Sequence, residues 1–191
     1  MNLPNKLTVF RISLIPIFAI VLMLPTNIWG GSVQLPMTHL IAAIIFVVAS
    51  LTDTADGQIA RRQHLVTNFG KFADPLADKL LVMTALIFFV QFQWVPAWVV
   101  ALIVIRELAV TGLRTLIVEN NGTVMAAAMP GKIKTTTQML AITFYLLHNI
   151  IFRSFGIPFA EIMLGIALLF TIYSGIDYFV KARFVFADGF K

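Results

Sequence analysis

Residues 51–80 read LTDTADGQIARRQHLVTNFGKFADPLADKL, a polar stretch inside a 191-residue chain that is otherwise strongly apolar. Hydrophobic residues make up 59% of the chain, and only 12% are charged. Because a soluble domain usually carries about 25% charged residues, this composition predicts a bundle of helices in a membrane. The chain has no cysteine, which excludes disulfides, thiolate metal ligands and a thiol nucleophile.

Six apolar segments lie on either side of this stretch, and turn-forming residues separate them. We predict an all-α integral membrane protein whose residues 1-191 form one domain of six transmembrane helices, approximately 7-24, 38-60, 70-94, 95-118, 133-152 and 158-180. With six crossings, every Lys and Arg except Arg153 falls on the side of the two termini. Such a bias marks the cytoplasmic side of a bacterial membrane, so we expect both termini and the aspartate stretch there. Topology thus explains the net charge of +5 without nucleic acid as a partner.

Four aspartates recur within the stretch at helical intervals. Asp53 and Asp56 are three residues apart, and Asp74 and Asp78 are four apart, so each pair shares one face of a helix. Unpaired carboxylates at a membrane edge cost several kcal/mol each, so the four require neutralisation. A set of oxygen ligands without sulfur suits Mg²⁺ or Mn²⁺, and two such ions suit chemistry on a diphosphate.

Small residues continue the aspartate faces and leave room for a ligand. Gly57 and Ala60 follow Asp53 by four and seven residues, and Gly70 precedes Asp74 by four. Arg61 adds a planar guanidinium that suits phosphate. A solvated helix cap is the usual role of a single aspartate pair, but it does not account for four aspartates with small residues in phase.

The whole pattern, Asp53-x2-Asp56-Gly57-x2-Ala60-Arg61-x8-Gly70-x3-Asp74-x3-Asp78, resembles the signature of the CDP-alcohol phosphatidyltransferase family. The resemblance implies a six-helix membrane fold, a homodimer, and a cytoplasmic site where an alcohol displaces CMP from a CDP-linked donor with divalent metal. It also implies a role for each signature residue: metal binding for Asp53, Asp56, Asp74 and Asp78, general-base catalysis for Asp78, and donor binding for Gly57, Ala60, Arg61 and Gly70.

Cations in the later helices indicate what the alcohol carries. Arg106 and Arg114 are eight residues apart on one helical face, and Lys132 and Lys134 begin the next helix. Charges inside membrane helices are expensive, so we predict that these four side chains bind an acceptor that bears a phosphate. The alternatives are cytoplasmic anchoring by the lysines, and snorkelling or lipid-headgroup binding by the arginines.

Three flanking stretches, NLPNKLTVFRISLIP, VIRELAVTGLR and GKIKTTTQ, resemble one bacterial branch of the same family. That resemblance implies CDP-diacylglycerol as the lipid donor and sn-glycerol 3-phosphate as the soluble acceptor, giving phosphatidylglycerol phosphate and CMP. Asn5, Thr8 and Arg11 recur at intervals of three, and we predict that this face of the first helix contacts the donor. A polar interfacial face is the alternative interpretation.

Other charged residues receive structural predictions. We expect Glu107 to pair with a cation from elsewhere, and Asp177 to pair with Lys181 four residues later. The histidines (His39, His64 and His148) share no spacing, and none is given a role.

Three alternative functions compete with the predicted one. The first is the same chemistry with inositol phosphate or another alcohol as acceptor. A membrane prenyltransferase also holds diphosphate with aspartates and Mg²⁺, but its motifs lie on well-separated segments. A cation transporter needs its carboxylates near mid-membrane and usually has paired halves, whereas this sequence has no internal repeat.

Overall fold

The structure is a computed structural model that describes residues 3–26, 28, 31–32, 35–62, 68–119 and 129–183, and for residues 3–4, 31–32, 53–62, 68–72, 74–75 and 118–119 it describes the backbone only. These ranges contain six α-helices: Leu3–Met23 (α1), Met37–Arg62 (α2), Asn68–Gln91 (α3), Ala97–Glu119 (α4), Met129–Leu146 (α5) and Phe159–Lys181 (α6). The predicted all-α fold class is therefore confirmed. A small hairpin that the sequence did not predict, Gly31–Ser32 (β1) paired with Leu35–Pro36 (β2), joins α1 to α2.

The aspartate stretch forms the facing ends of α2 and α3. Helix α2 continues to Arg62 and α3 begins at Asn68, so the backbone is helical at all four aspartates. Only the backbone is described at Asp53, Asp56 and Asp74, whereas at Asp78 the side chain is described as well. The sequence therefore placed the four positions correctly on two helices joined by a short connection.

Helix α5 is shorter than predicted, because it ends at Leu146 rather than near residue 152. His148 and Asn149 have φ angles of 52° and 54°, a left-handed conformation that a right-handed helix cannot continue. The Asn149 side chain instead caps the next helix, because its Oδ1 accepts a hydrogen bond from the Ala160 N–H at 2.9 Å. A positive φ at Gln93 likewise separates α3 from α4.

The core combines aromatic side chains with alanines. Phe46 of α2 lies 6.2 Å from Phe18 of α1 between ring centroids, and both side chains are buried. Fully buried alanines such as Ala49, Ala85 and Ala141 let neighbouring helices approach closely. Helix α1 packs against α2 and α3, whereas α6 packs against α4 and α5. The interior of the bundle is therefore closely packed.

The outer surface of the bundle is apolar. Large hydrophobic side chains are exposed on every helix, for example Ile20, Ile44, Ile87, Ile105 and Leu169. A soluble monomer rarely exposes so much apolar surface, whereas lipid solvates it readily. Two helical segments, Asn5–Met23 and Phe159–Lys181, are long and apolar enough by composition alone to cross a membrane.

Two histidines meet at the end of the bundle where α2 begins. His39 Nδ1 lies 2.7 Å from His148 Nε2, and the two rings are stacked with centroids 5.0 Å apart. Trp94 packs edge-on against both rings. Burial, and to a smaller extent the nearby Arg153 guanidinium, lower the pKa of His148. The sequence did not predict this contact, which joins residues 109 positions apart.

Candidate active site

A cavity of about 240 Å³ opens between α3, α4, α5 and α6. Residues from all four helices line it: Asp78, Lys79, Arg106, Glu107, Val110, Thr111, Arg114, Gly131, Lys134, Thr135, Ser174, Asp177, Tyr178 and Lys181. We call it the cation cavity, because five of these side chains are cationic and three are carboxylates. The lining thus carries a formal charge of +2. In surroundings of low dielectric constant, such a cavity favours the binding of an anion whose negative charge offsets that of the lining.

Arg106 reaches across the cation cavity from α4 to α6. Its Nη1 donates a hydrogen bond to Glu107 Oε1 at 3.0 Å, and its Nη2 donates to Ser174 Oγ at 2.8 Å. Its Nε is buried and has no hydrogen-bond partner among the described residues. A buried donor on a charged group costs about 1–3 kcal/mol or more when it is unpaired.

The stem of Arg106 passes directly over Gly175 of α6. A Cβ atom added at Gly175 would lie 3.1 Å from Arg106 Cγ and 3.8 Å from its Nε. Carbon atoms in contact normally lie about 3.5–4.0 Å apart, so a side chain at position 175 would require the stem to shift by a few tenths of an ångström. Gly175 and Ser174 together therefore fix the position of the Arg106 guanidinium.

Glu107 balances the cations at the centre of the cation cavity. Its Oε1 accepts a hydrogen bond from Lys134 Nζ at 2.5 Å, in addition to the bond from Arg106. The Lys134 residue is only 6% exposed, so its ammonium requires such a partner. The predicted pairing of Glu107 with a cation from elsewhere is confirmed.

Three more cations surround this centre. Lys79 Nζ donates a hydrogen bond to Thr111 Oγ1. Arg114 Nε lies 3.3 Å from the Tyr178 hydroxyl, and its guanidinium carbon lies 5.3 Å from the centroid of that ring. Lys181 Nζ pairs with Asp177 Oδ2 at 2.7 Å, as the sequence predicted.

The structure brings together three of the four predicted acceptor-binding cations, namely Arg106, Arg114 and Lys134. Lys132 is exposed and does not line the cation cavity. The reason is helical geometry, because residues two apart on a helix point in directions about 200° apart. Sequence reasoning missed Lys79 and Lys181 as lining residues. The sequence held a clue to both, because Lys79 directly follows Asp78 and Lys181 lies one helical turn after Asp177.

Asp78 lies at the junction of the cation cavity with a smaller cavity of about 50 Å³. The smaller cavity is lined by Asp78, Lys79, Val82, Met83, Ile103, Glu107, Lys134, Thr135, Gln138 and Met139. Half of these residues also line the cation cavity. Asp78 is half-buried and has an interaction partner. A molecule that occupies both cavities would therefore pass beside the Asp78 carboxylate.

The predicted donor site lies mainly outside the described side chains. This is so for Asp53, Asp56, Gly57, Ala60, Arg61, Gly70 and Asp74. Among the side chains that are described, no group of three or more His, Asp or Glu is arranged to hold a metal ion. On α1, Thr8 and Arg11 are each only 1% exposed, and both have interaction partners, as does Asn5. The polar face of α1 is therefore largely turned into the bundle.

Comparison with known proteins extends over almost the whole chain. A family model for CDP-alcohol phosphatidyltransferase matches residues 1–173. A Bacillus subtilis (strain 168) protein named CDP-diacylglycerol–glycerol-3-phosphate 3-phosphatidyltransferase is 53% identical over 184 residues, which cover 94% of each chain. A Rickettsia bellii protein of the same name is 37% identical over 186 residues, covering 95% of this chain and 96% of the relative. A probable phosphatidylglycerophosphate synthase of Mycobacterium tuberculosis is 35% identical over 181 residues, covering 95% of this chain and 81% of the relative.

Proposed function

The chain belongs to the CDP-alcohol phosphatidyltransferase family, and we propose that it transfers a phosphatidyl group from CDP-diacylglycerol to sn-glycerol 3-phosphate. The products are phosphatidylglycerophosphate and CMP, in a step of phospholipid biosynthesis. The names of the relatives support both the donor and the acceptor. The observation on this chain that carries the proposal is the cation cavity beside Asp78.

The charge of the cation cavity fits a phosphorylated acceptor. The phosphate of glycerol 3-phosphate is close to a dianion at neutral pH, because the second pKa of a phosphate monoester is about 6. It therefore matches the formal charge of the lining, with Arg106, Arg114 and Lys134 as its principal ligands. An unphosphorylated acceptor such as serine or free glycerol would leave this charge uncompensated. We expect Lys132, which is exposed, to attract anions at the surface rather than to bind the phosphate.

The donor is proposed to bind along the signature. Gly57, Ala60, Arg61 and Gly70 would contact the cytidine and diphosphate, with Asn5, Thr8 and Arg11 of α1 beside them. Support comes from the packing of α1 against both α2 and α3, the helices that carry the signature. The two acyl chains would remain in the bilayer, so that the donor enters sideways from the inner leaflet.

We propose that Asp53, Asp56, Asp74 and Asp78 hold two divalent cations, Mg²⁺ or Mn²⁺. Four carboxylates and no sulfur form the hard-oxygen donor set that these ions prefer. Such a pair of ions supplies charge stabilisation for the attacking and leaving oxygens of a phosphoryl transfer.

The residues of the chain then account for the transfer itself. Asp78 lies where both cavities meet, so its carboxylate is placed to take the proton from the terminal hydroxyl of the acceptor. A bond forms between this oxygen and the β-phosphorus, which carries diacylglycerol. The bond from that phosphorus to the oxygen of CMP breaks, and Arg61 would compensate the charge on CMP. We propose direct displacement rather than a phosphatidyl-enzyme intermediate, because none of the signature residues is a serine or a histidine.

The same proposal includes a setting in the membrane. The apolar exterior of all six helices supports a multi-pass protein in the bacterial cytoplasmic membrane. The distribution of Lys and Arg supports an orientation with both termini and the active site in the cytoplasm. A homodimer is proposed from the resemblance to the family.

CMP release tests the proposal. Purified protein in detergent would receive CDP-diacylglycerol and Mg²⁺, with glycerol 3-phosphate, inositol phosphate, serine or free glycerol supplied singly. We expect release with glycerol 3-phosphate, a loss of at least 10-fold in kcat/KM for Arg106→Gln, and little change for the control Arg153→Gln. Arg153 is a suitable control because it is exposed and lines neither cavity beside Asp78. Release with inositol phosphate but not glycerol 3-phosphate would refute the acceptor assignment and keep the chemistry.

A further inference from the structure

Gln138 of α5 is a buried polar residue that the proposed mechanism does not use. It is only 2% exposed, and its amide nitrogen has no hydrogen-bond partner in the described part of the chain. A buried amide without a partner is unfavourable, and native proteins rarely keep one without a reason. Gln138 also lines the smaller cavity beside Asp78, a space that a ligand can enter.

The position of Gln138 relates it to the cation cavity. Lys134 and Gln138 are four residues apart on α5 and therefore lie on the same face, separated by about 6 Å along the axis. Lys134 lines both cavities, whereas Gln138 lines only the smaller one. A molecule whose phosphate lies against Lys134 would place the atoms next to that phosphate beside Gln138.

The smaller cavity suits a short polyol chain. One water-sized group needs about 10–15 Å³ of such space, so 50 Å³ accommodates about four. Its walls combine apolar side chains, Val82, Met83 and Ile103, with the polar Asp78 and Gln138. The carbon atoms of a ligand would contact the apolar side chains, and a hydroxyl would form a hydrogen bond with one of the polar ones.

We propose that Gln138 recognises the secondary hydroxyl of sn-glycerol 3-phosphate, an inference that rests on the proposed function. The amide N–H donates to this hydroxyl, while the phosphate binds in the cation cavity and the terminal hydroxyl lies at Asp78. A hydroxyl accepts and donates hydrogen bonds, so it can satisfy an amide in either orientation. Three fixed contacts around one stereocentre also select one enantiomer, since the mirror image directs its secondary hydroxyl away from Gln138.

The test compares acceptors that differ only at that hydroxyl. CMP release would be measured with sn-glycerol 3-phosphate, with its enantiomer sn-glycerol 1-phosphate, and with 3-hydroxypropyl phosphate, which lacks the secondary hydroxyl. We expect the wild-type protein to prefer sn-glycerol 3-phosphate over either analogue by about 10-fold or more in kcat/KM, because each analogue leaves a buried donor unpaired.

Gln138→Met removes the amide at nearly constant length. We expect this variant to lose about 10-fold in kcat/KM with sn-glycerol 3-phosphate but little with 3-hydroxypropyl phosphate, so that the preference falls to nearly one. Gln91→Met serves as the control, because Gln91 is exposed at the far end of α3 from Asp78, and it should keep the wild-type preference.

The outcomes distinguish a failure of the Gln138 role from a failure of the proposed function. An unchanged preference in Gln138→Met would overturn the role of Gln138 and leave the proposed function standing. Equal use of all three acceptors by the wild-type protein would also overturn it, with no dependence on the folding of a variant. Absence of CMP release from wild-type protein with every glycerol phosphate would refute both proposals.

Discussion

Replacement of Gly175 by alanine tests whether the position of Arg106 governs acceptor binding. The added Cβ would lie 3.1 Å from Arg106 Cγ, which is about 0.5 Å closer than an ordinary carbon contact. The Arg106 stem must therefore move away from α6. Its Nη2 now lies 2.8 Å from Ser174 Oγ, and a shift of a few tenths of an ångström away from α6 lengthens this bond towards its usual limit of about 3.2 Å.

The magnitude follows from that hydrogen bond. Hydrogen bonds to charged groups contribute about 1.5–3 kcal/mol, and we expect roughly half of this to be lost from phosphate binding. The value of kcat/KM for glycerol 3-phosphate should fall about 4- to 13-fold, mainly through a higher KM. Stability should change little, because the gain of about 1 kcal/mol in helix propensity opposes a cost of about 1–3 kcal/mol for overpacking.

Gly165→Ala is the matched control on the same helix. A Cβ atom at Gly165 meets nothing within 4 Å, so this variant should keep the wild-type KM and become slightly more stable. The assay is CMP release at varied glycerol 3-phosphate, together with the thermal unfolding midpoint in detergent. A KM for Gly175→Ala within twofold of the control would refute the argument that α6 positions Arg106.

Three further predictions concern the same structure. Glu107→Gln removes the carboxylate that pairs with Lys134, so the thermal midpoint should fall by several degrees, at about 2–4 °C per kcal/mol for a chain of this size; an unchanged midpoint would contradict this. Since the pKa of His148 is lowered in the folded state, the protein should be most stable above about pH 6.5 and lose stability as the pH falls further, because the unfolded histidine then binds the proton more tightly. His148→Gln should flatten this dependence of the unfolding midpoint, and an equally steep profile would argue against the histidine pair. EDTA should abolish CMP release, and added Mg²⁺ or Mn²⁺ should restore it, whereas full activity in EDTA would exclude the proposed metal requirement.

The features that sequence reasoning predicted correctly depend on local spacing. Long apolar segments predicted the helices, and the intervals between aspartates placed them on α2 and α3. The ion pair between Asp177 and Lys181 followed from an interval of four residues on one helix. In each case the relevant distance is fixed by the geometry of a single helix.

The features that it missed depend on contacts between helices. Lys79 hydrogen-bonds Thr111 of another helix, and His39 meets His148 across the bundle. Neither contact leaves a periodic signal in the sequence. Lys132 was instead included among the acceptor-binding residues although it does not line the cation cavity. The prediction grouped it with Lys134 and overlooked the helical turn of about 100° per residue. Had this rotation been applied, the sequence would have assigned only one of the two lysines to the cation cavity.

The location of the cation cavity has a consequence for how acceptor choice can evolve. The aspartate signature occupies α2 and α3, whereas Arg106, Lys134 and Ser174 extend from α4, α5 and α6. Under the proposed function, mutations on the latter three helices would change the accepted alcohol, while the residues proposed to bind the CDP-linked lipid would stay unchanged. Under the same proposal, selective inhibitors are better directed at the cation cavity, because a nucleotide mimic aimed at the signature would also bind other enzymes that share the signature.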